Sequence, residues 1–168
     1  MATGDLGILS DDGYLKIVGR NKDMIIRGGE NVYPSEIEGF LITHPMVEEA
    51  HVFGVPDDFY GEKVIVHIRL KQQMLLQMQE EAEEEETGAV GVVAVGEDSN
   101  IGDIGARIRA KIVSHCKGNI AHFKIPAEIY FVNDFPLTVT GKVMKYQMRD
   151  DYVNNRFRPG GYLNKKMK

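Results

Sequence analysis

Two long β-rich runs separated by a short connection constrain the fold more than any other feature of this sequence. The runs Val47 to Val55 and Lys63 to Leu70 alternate apolar and polar residues, which is the pattern of a sheet with one covered face. Between them, Pro56-Asp57-Asp58 starts a turn and Gly61 helps to close the connection. We therefore predict that the two runs pair, and that the other elements pack around this pair.

Shorter β-rich runs precede and follow the central pair. Leu6 to Leu9 and Tyr14 to Val18 flank Ser10-Asp11-Asp12-Gly13, where Asp-Gly supplies the positive φ angles of a tight hairpin turn. Met24 to Ile26 is typical of a short buried strand interrupted by glycines, and Ile129 to Val132 is typical of another strand. The sequence thus predicts a hairpin followed by a sheet.

Helical patterns lie between these strands. Pro34 marks a helix start with Glu36 and Glu38 near its positive end, and this helix is expected to end near His44-Pro45. Its apolar face is expected to carry Ile37, Phe40 and Leu41. Further helices are predicted over Gly102 to Cys116 and Met144 to Tyr152. The expected class is α+β, with a mixed sheet flanked by helices.

Composition narrows the class of protein. The 168 residues are 43% hydrophobic and 27% charged, which is typical of a globular domain, and no apolar run reaches the roughly 20 residues that cross a bilayer. The first residues show neither a secretory nor a transit-peptide pattern. Because Cys116 is the single cysteine, we expect neither an internal disulfide nor a cysteine-based metal site, and a reducing compartment fits best.

The net charge of −5 comes from one acidic segment, and the rest of the chain is mildly basic. Glu80 to Asp103 contains nine of the 25 acidic residues and no lysine or arginine, so the rest of the chain has 16 acidic against 20 basic residues, a net charge of +4. Such a balance suits a partner that carries phosphates. The glutamate run predicts an expanded surface loop without activity, and a helix extension or a partner-binding strand is the alternative.

Three stretches combine glycine with charged residues. In Thr3-Gly4-Asp5 the carboxylate either caps a turn or accepts hydrogen bonds from ribose hydroxyls. In the second stretch, Gly19 to Pro34, the adjacent Gly28 and Gly29 either form a simple turn or let a backbone approach a ligand near a helix start. In the third, Pro136 to Lys145, Lys142 follows Thr-Val-Thr-Gly on a loop and is either an ordinary solvated lysine or a cation that reaches a phosphate or carboxylate.

In this order, the three stretches resemble the C-terminal domain of the adenylate-forming superfamily of acyl-CoA synthetases, luciferases and peptide-synthetase adenylation domains. The resemblance runs from Thr3 to about Tyr152, with the acidic insert as its interruption. The stretches Gly19 to Asn31 and His122-Phe123-Lys124-Ile125-Pro126 are most similar to medium-chain acyl-CoA synthetases, which include a mitochondrial branch.

The resemblance implies a role for each matched residue. Asp5 matches the acid that binds the ribose hydroxyls of ATP, and Arg20 matches an arginine that contacts the nucleotide. Lys22 falls at the hinge about which the small domain rotates. Lys142 matches the lysine that bridges the carboxylate substrate and the α-phosphate, and is thus the implied catalytic residue. No metal ligand is implied within this chain.

Further implied positions concern CoA. Gly28 and Gly29 match a loop that lines the pantetheine tunnel, and Lys117 and Lys124 are candidates for the phosphates of CoA. The implied reaction joins a fatty acid to CoA in two steps, with ATP and Mg held mainly by the family's N-terminal AMP-binding domain. Neither nucleic acid nor a membrane span is expected.

The resemblance also divides the chain. Residues 1–21 correspond to a hairpin and the end of the N-terminal domain linker, residues 22–153 to the C-terminal domain with an insert at about 72–103, and residues 154–168 to a loose tail. Because the large domain is absent, we expect a fragment that is inactive alone. Its expected location is the mitochondrial matrix, or alternatively the cytoplasm. The competing functions are a non-catalytic interaction module and a regulatory nucleotide-binding domain.

Overall fold

The computed structural model describes residues 3–74, 76 and 99–156. It begins with the predicted hairpin, formed by β1 (Asp5–Leu9) and β2 (Leu15–Arg20) in antiparallel register. At its turn the Gly13 amide donates to the Ser10 carbonyl at 2.9 Å, and Gly13 has a φ of +85°. The glycine is therefore required at the position where Asp-Gly was read as a turn.

The described residues also form a mixed sheet in which β6 is central. Its strands are β3 (Ile25–Arg27), β4 (Glu30–Val32), β5 (Val47–Asp57), β6 (Gly61–Leu70) and β7 (Glu128–Phe131). The order is β4-β3-β6-β5, and β7 also pairs with β6. β5 and β6 are antiparallel over their whole length, which confirms the predicted pairing, whereas β7 runs parallel to β6.

Both faces of this sheet are covered, so the prediction of one covered face was wrong. Every residue from Val64 to Ile68 is buried, although a one-sided sheet would expose alternate positions. Val64, Val66 and Ile68 belong to one apolar cluster and Ile65 to a second. The middle of β6 is thus the centre of a three-layer arrangement.

Helices supply the two outer layers. α1 (Pro34–Leu41) and α2 (Ser99–Cys116) contribute Ile37, Leu41, Ile108 and Ile112 to the first cluster, and α3 (Lys145–Val153) contributes Met148 to the second. α1 begins at Pro34 as predicted but ends at Leu41, before the predicted His44-Pro45. Short 3-10 helices cover Asn21–Asp23 and His122–Lys124.

Three local predictions need correction. Ile26 is half-exposed, because β3 is a short strand beside the edge strand β4 and only Ile25 faces the core. The glycine pair does not adjoin a helix start, since β4 lies between Gly29 and α1. Most of the predicted acidic loop, residues 80–98, and residues 157–168 of the tail lie outside the described residues. The described ends of the predicted insert, residues 72–74 and 99–103, are helical and not loop. Within the described part, no helix is long and apolar enough to cross a membrane.

Candidate functional site

The first pair of predicted site residues lies together on the hairpin. Asp5 opposes Arg20 across β1 and β2, and the Arg20 Nε lies 3.6 Å from the Asp5 Oδ1. Both side chains are about half-exposed. The Asn21 amide donates to the Gly4 carbonyl at 2.8 Å, which closes the hairpin at the start of the 3-10 helix Asn21–Asp23. An acid and a guanidinium are therefore presented side by side to solvent.

Lys22 lies in the 3-10 helix that joins the hairpin to the sheet. This helix is flanked by extended backbone at Arg20 (φ −105°, ψ 139°) and Met24 (φ −63°, ψ 134°). Lys22 is exposed and lines a cleft whose other wall is α3, with Lys145, Tyr146 and Arg149. The predicted hinge thus directly faces the helix that follows the Lys142 loop.

Gly28 and Gly29 form the two-residue turn between β3 and β4. Their φ angles are +60° and +86°. A type I′ hairpin turn requires positive φ angles, which residues other than glycine rarely adopt. The Gly28 amide donates to the Tyr60 carbonyl at 2.8 Å and is already engaged. A Cβ added to Gly29 would meet nothing within 4 Å, so the outer side of the turn is open to an approaching ligand.

Arg27 connects the glycine turn to the segment that holds Lys124. Its Nη1 donates to the Phe123 and Ile125 carbonyls at 2.9 and 3.1 Å, and its guanidinium lies 5.2 Å from the Tyr60 ring centroid. The structure therefore brings Gly28, Gly29 and Lys124 to one end of the molecule. Lys124 Nζ lies 2.6 Å from Glu36 Oε1 on α1, so its charge is already shared.

Lys117 stands apart from this group. It is exposed immediately after the end of α2, and its amide donates to the Val113 carbonyl at 3.0 Å. Among the described residues, no hydrogen bond or ion pair joins its side chain to the glycine turn. The structure thus groups the predicted CoA residues only in part.

Lys142 lies on a hydrogen-bonded turn. The Thr138 amide donates to the Lys142 carbonyl at 2.8 Å, and the Lys142 amide donates to the Thr138 hydroxyl oxygen at 3.0 Å. Gly141 has a φ of +80° and donates to the Thr138 carbonyl. Leu137 bridges Val143, and Phe135 before the turn is buried. The predicted loop around Lys142 is therefore a turn braced by hydrogen bonds, with the exposed lysine near its end.

Carboxylates from several elements hold the inner face of α3. Lys145, Arg149 and Tyr152 recur at helical spacing, and they contact Glu38 on α1, Glu62 on β6 and Glu128 on β7, respectively. Glu38 also accepts from the Val52 amide at 2.7 Å. Because α3 starts three residues after Lys142, these contacts also fix the base of the Lys142 turn.

Glu128 is the centre of the most polar of these contacts. Its carboxylate accepts from Lys63 at 2.6 Å, from Tyr130, and from the Tyr152 hydroxyl at 2.9 Å. Burial would raise the pKa of Glu128, but the hydrogen bonds outweigh burial and leave this pKa lowered. Glu128 in turn raises the pKa of Lys63 to about 12. The cluster remains charged at neutral pH.

Sequence reasoning missed these carboxylates. The position of Glu38 near the start of α1 predicts only an interaction with the helix dipole, and no sequence pattern points to Glu62 or Glu128. One sequence pattern does indicate a polar contact face. Lys145, Arg149 and Tyr152 have i, i+4, i+7 spacing and therefore lie on one side of a predicted helix that has few apolar residues. The described residues contain no cluster of three or more His, Cys, Asp or Glu suited to a metal ion. Glu38, Glu62 and Glu128 each contact a side chain of α3, and Glu38 and Glu62 also accept from backbone amides.

Comparison with known proteins defines the class. The model of the AMP-binding enzyme C-terminal domain matches residues 36–88 and 80–142. The chain belongs to this family. The two matched pieces meet within the acidic segment, as expected for a family pattern interrupted by an insert.

Individual relatives agree with this assignment. The chain is 43% identical over 148 residues to the human medium-chain acyl-CoA ligase ACSF2, mitochondrial, covering 88% of this chain and 19% of that relative. It is similar to the ATP-bound MatB structure from Rhodopseudomonas palustris (32% identity, TM-score 0.65, 92% and 25% covered) and to the Mycobacterium tuberculosis fatty acyl CoA synthetase (34%, 0.62, 91% and 24%). The chain spans about a fifth of the length of the curated relatives it matches.

Proposed function

We propose that this chain is the mobile small domain of an ATP-dependent fatty acid–CoA ligase. The observation that carries the proposal is the Lys142 turn, in which backbone bonds and the anchored helix α3 hold an exposed lysine at a defined place. A compact ammonium on a braced support suits the stabilisation of charge that develops at one position. The family assignment and the acyl-CoA ligases among the relatives support the same role.

The proposed chemistry has two steps. The carboxylate of a fatty acid attacks the α-phosphate of ATP, which forms an acyl-adenylate and releases pyrophosphate. The thiol of CoA then attacks the acyl carbonyl and displaces AMP. Lys142 neutralises negative charge in the first step, while Asp5 accepts hydrogen bonds from the ribose hydroxyls and Arg20 contacts the nucleotide beside it. The 3.6 Å pair of Asp5 and Arg20 supports this placement.

Rotation about Lys22 exchanges the groups that face the substrate. The open side of the Gly28-Gly29 turn then lines the path of the pantetheine arm. Lys124 lies at the same end of the molecule. Because its ammonium forms an ion pair with Glu36, binding of a CoA phosphate requires that this pair is broken or that the ammonium contacts both groups. Lys117 is exposed and remains a second candidate for a CoA phosphate.

The large N-terminal AMP-binding domain is the proposed partner, and it holds ATP, Mg and the acyl chain. Medium-chain fatty acids are the proposed substrate class and the mitochondrial matrix the proposed location, because similar proteins are named medium-chain acyl-CoA ligases and mitochondrial. Mg would neutralise phosphate charge, whereas the residues of this chain supply Lys142 and the nucleotide contacts. The 168-residue chain alone should form no acyl-CoA.

The test joins this chain to the large domain of a related ligase. We expect the chimera to make acyl-CoA from ATP, CoA and a medium-chain fatty acid. Lys142→Ala should lower acyl-adenylate formation by about a hundred- to a thousand-fold, as removal of one preorganised charge does elsewhere. Lys71→Ala, which removes another exposed lysine, is the matched control and should leave the rate unchanged. An inactive chimera, or turnover by the isolated chain, would contradict the proposal.

A further inference from the structure

Glu62 occupies a position between the hinge segment and the helix that follows Lys142. Its Oε2 accepts from the Ile26 backbone amide at 2.8 Å, and its Oε1 lies 3.3 Å from the Arg149 Nη1 on α3. β3 and β6 pair directly only where Arg27 meets Gly61. The Glu62 carboxylate therefore takes the place of a backbone carbonyl of the neighbouring strand as the acceptor for the Ile26 amide.

The lack of a side chain at Gly54 leaves room for the Glu62 carboxylate. A Cβ added to Gly54 on β5 would lie 3.2 Å from the Glu62 Oε1 and 3.0 Å from the Ile25 Cγ2, so a side chain there would crowd this contact. The Glu62 side chain is 22% exposed and that of Arg149 is 45% exposed. Gly54 thus allows Glu62 to reach between β3 and α3.

The contacts of Glu62 join two segments of the small domain that matter for the proposed function, namely the strand that follows the proposed hinge and the helix that follows the Lys142 turn. Ile26 follows the hinge residue Lys22 by four residues, and Arg149 lies one helical turn after Lys145 at the base of the Lys142 turn. Lys22, Glu62, Lys145 and Arg149 line the same cleft. Besides the Lys145–Glu38 and Tyr152–Glu128 contacts, the Glu62 carboxylate is therefore a direct polar link between β3 and α3.

We propose that Glu62 is a positioning residue, which keeps Lys142 in a fixed orientation relative to the hinge by clamping Arg149 to β3. This inference rests on the proposed function. A pair with a partner as exposed as Arg149 contributes little to the free energy of unfolding. Its main effect is geometric: without the clamp, α3 and the Lys142 turn swing on their remaining contacts.

The experiment uses the chimeric ligase and measures the two half-reactions separately. Glu62→Gln retains an acceptor for the Ile26 amide but removes the charge that binds Arg149, and Arg149→Met removes the same pair from the other side. Each should lower kcat for acyl-adenylate formation about tenfold, since small misplacements of a reacting group are costly. KM for ATP and thioester formation from added acyl-adenylate should change less than about twofold. Arg149→Lys should restore most of the rate.

A double-mutant cycle separates positioning from stability. In the Lys142→Ala background, Glu62→Gln should cause no further loss in acyl-adenylate formation, because Glu62 acts through that lysine. Glu48→Gln, which removes a contact to Arg69 away from α3, is the matched control and should behave as wild type. Equal losses in both half-reactions, or additive losses with Lys142→Ala, would overturn the positioning role. An inactive wild-type chimera would instead contradict the proposed function.

Discussion

The sheet face beneath α1 and α2 is covered by aliphatic side chains, whereas the face beneath α3 is held largely by charged and aromatic groups. Ile37, Leu41, Ile108 and Ile112 are almost completely buried on the first face. On the second face α3 buries Met148, while Lys145, Arg149 and Tyr152 contact carboxylates. One sheet therefore carries an aliphatic layer on its first face and, on its second face, a smaller apolar cluster bordered by ion pairs and hydrogen bonds.

This difference assigns separate tasks to the two faces. Aliphatic burial is non-directional and supplies most of the stabilising free energy of a domain. Hydrogen bonds and ion pairs add less net stability, but they fix orientation because their geometry is narrow. The face covered by α3 is the one next to the Lys142 turn, because α3 begins three residues after Lys142. The comparison predicts that substitutions on the first face change stability most, and that substitutions on the second change orientation and pH response.

The largest stability effect is expected from Ile112→Ala on α2. Ile112 is fully buried, so its truncation should lower the free energy of unfolding by about 2–5 kcal/mol through lost burial and a residual cavity. Arg149→Ala on α3 should cost about 1 kcal/mol or less. Chemical denaturation of both variants measures the difference. Equal losses would show that the two faces do not differ as described.

A pH effect should arise from His67, which lies on the α3 side of β6. Burial, with a smaller contribution from His51, lowers the pKa of His67 to about 3. Since this pKa is below the ordinary 6.5, the unfolded chain binds the proton first, and stability falls as the pH drops below 6.5. The loss attributable to His67 between pH 7 and pH 5 should be about 2 kcal/mol.

His67→Leu tests this effect with a side chain of similar size. Denaturation at pH 7 and pH 5 should show a smaller drop in the variant than in wild type. A residual slope is expected from His44, whose pKa is also lowered, first by burial. Parallel pH profiles for the two proteins would mean that His67 does not cause the acid sensitivity.

A smaller effect is expected from Glu128→Gln, which weakens the Lys63 and Tyr152 contacts. The free energy of unfolding at pH 7 should fall by about 1–2 kcal/mol. Because the pKa of Glu128 is held below its ordinary 4.5, its contribution is present above pH 4.5 and is lost as the pH falls further. The gap between wild type and variant should therefore narrow below pH 4.5. A gap that persists in strong acid would exclude the charge as its cause.

The smallest effect should follow deletion of Glu80 to Gly96 from the acidic segment, most of which lies outside the described residues. A solvated acidic loop buries little apolar area, and a shorter connection costs slightly less closure entropy. The free energy of unfolding should change by less than about 1 kcal/mol, as measured by thermal denaturation. A large drop would indicate that Val90 to Val95 forms part of the core.

Local rules predicted the elements of the fold well. Pro34 at a helix start, Asp12-Gly13 at a turn and the alternating runs of β5 and β6 all reflect interactions within a few residues of each other. The second covered face of the sheet was missed, because it depends on α3, which follows β6 by 75 residues and shows little apolar periodicity. Such packing is decided by tertiary contacts and not by local pattern.

The candidate site shows the same division. Arg20 and Asp5 lie in one hairpin, so their proximity follows from its register once the turn is known. Glu62, by contrast, bridges two residues that are distant in sequence. Ile26 precedes it by 36 residues, and Arg149 follows it by 87 residues. No local rule connects these residues. The braced turn around Lys142 was also missed, because the Thr138 hydroxyl bond depends on its folded geometry.

The central claim is that one small domain serves two half-reactions by rotating about Lys22, and paired variants of the chimeric ligase test it most directly. Lys142→Ala should lower acyl-adenylate formation by about a hundred- to a thousand-fold and leave thioester formation from added acyl-adenylate nearly unchanged. Lys22→Pro fixes φ at the hinge and should give the opposite pattern, with thioester formation impaired and adenylation largely retained. Equal losses in both half-reactions for Lys142→Ala would contradict the account and leave Lys142 as a structural or general phosphate-binding residue.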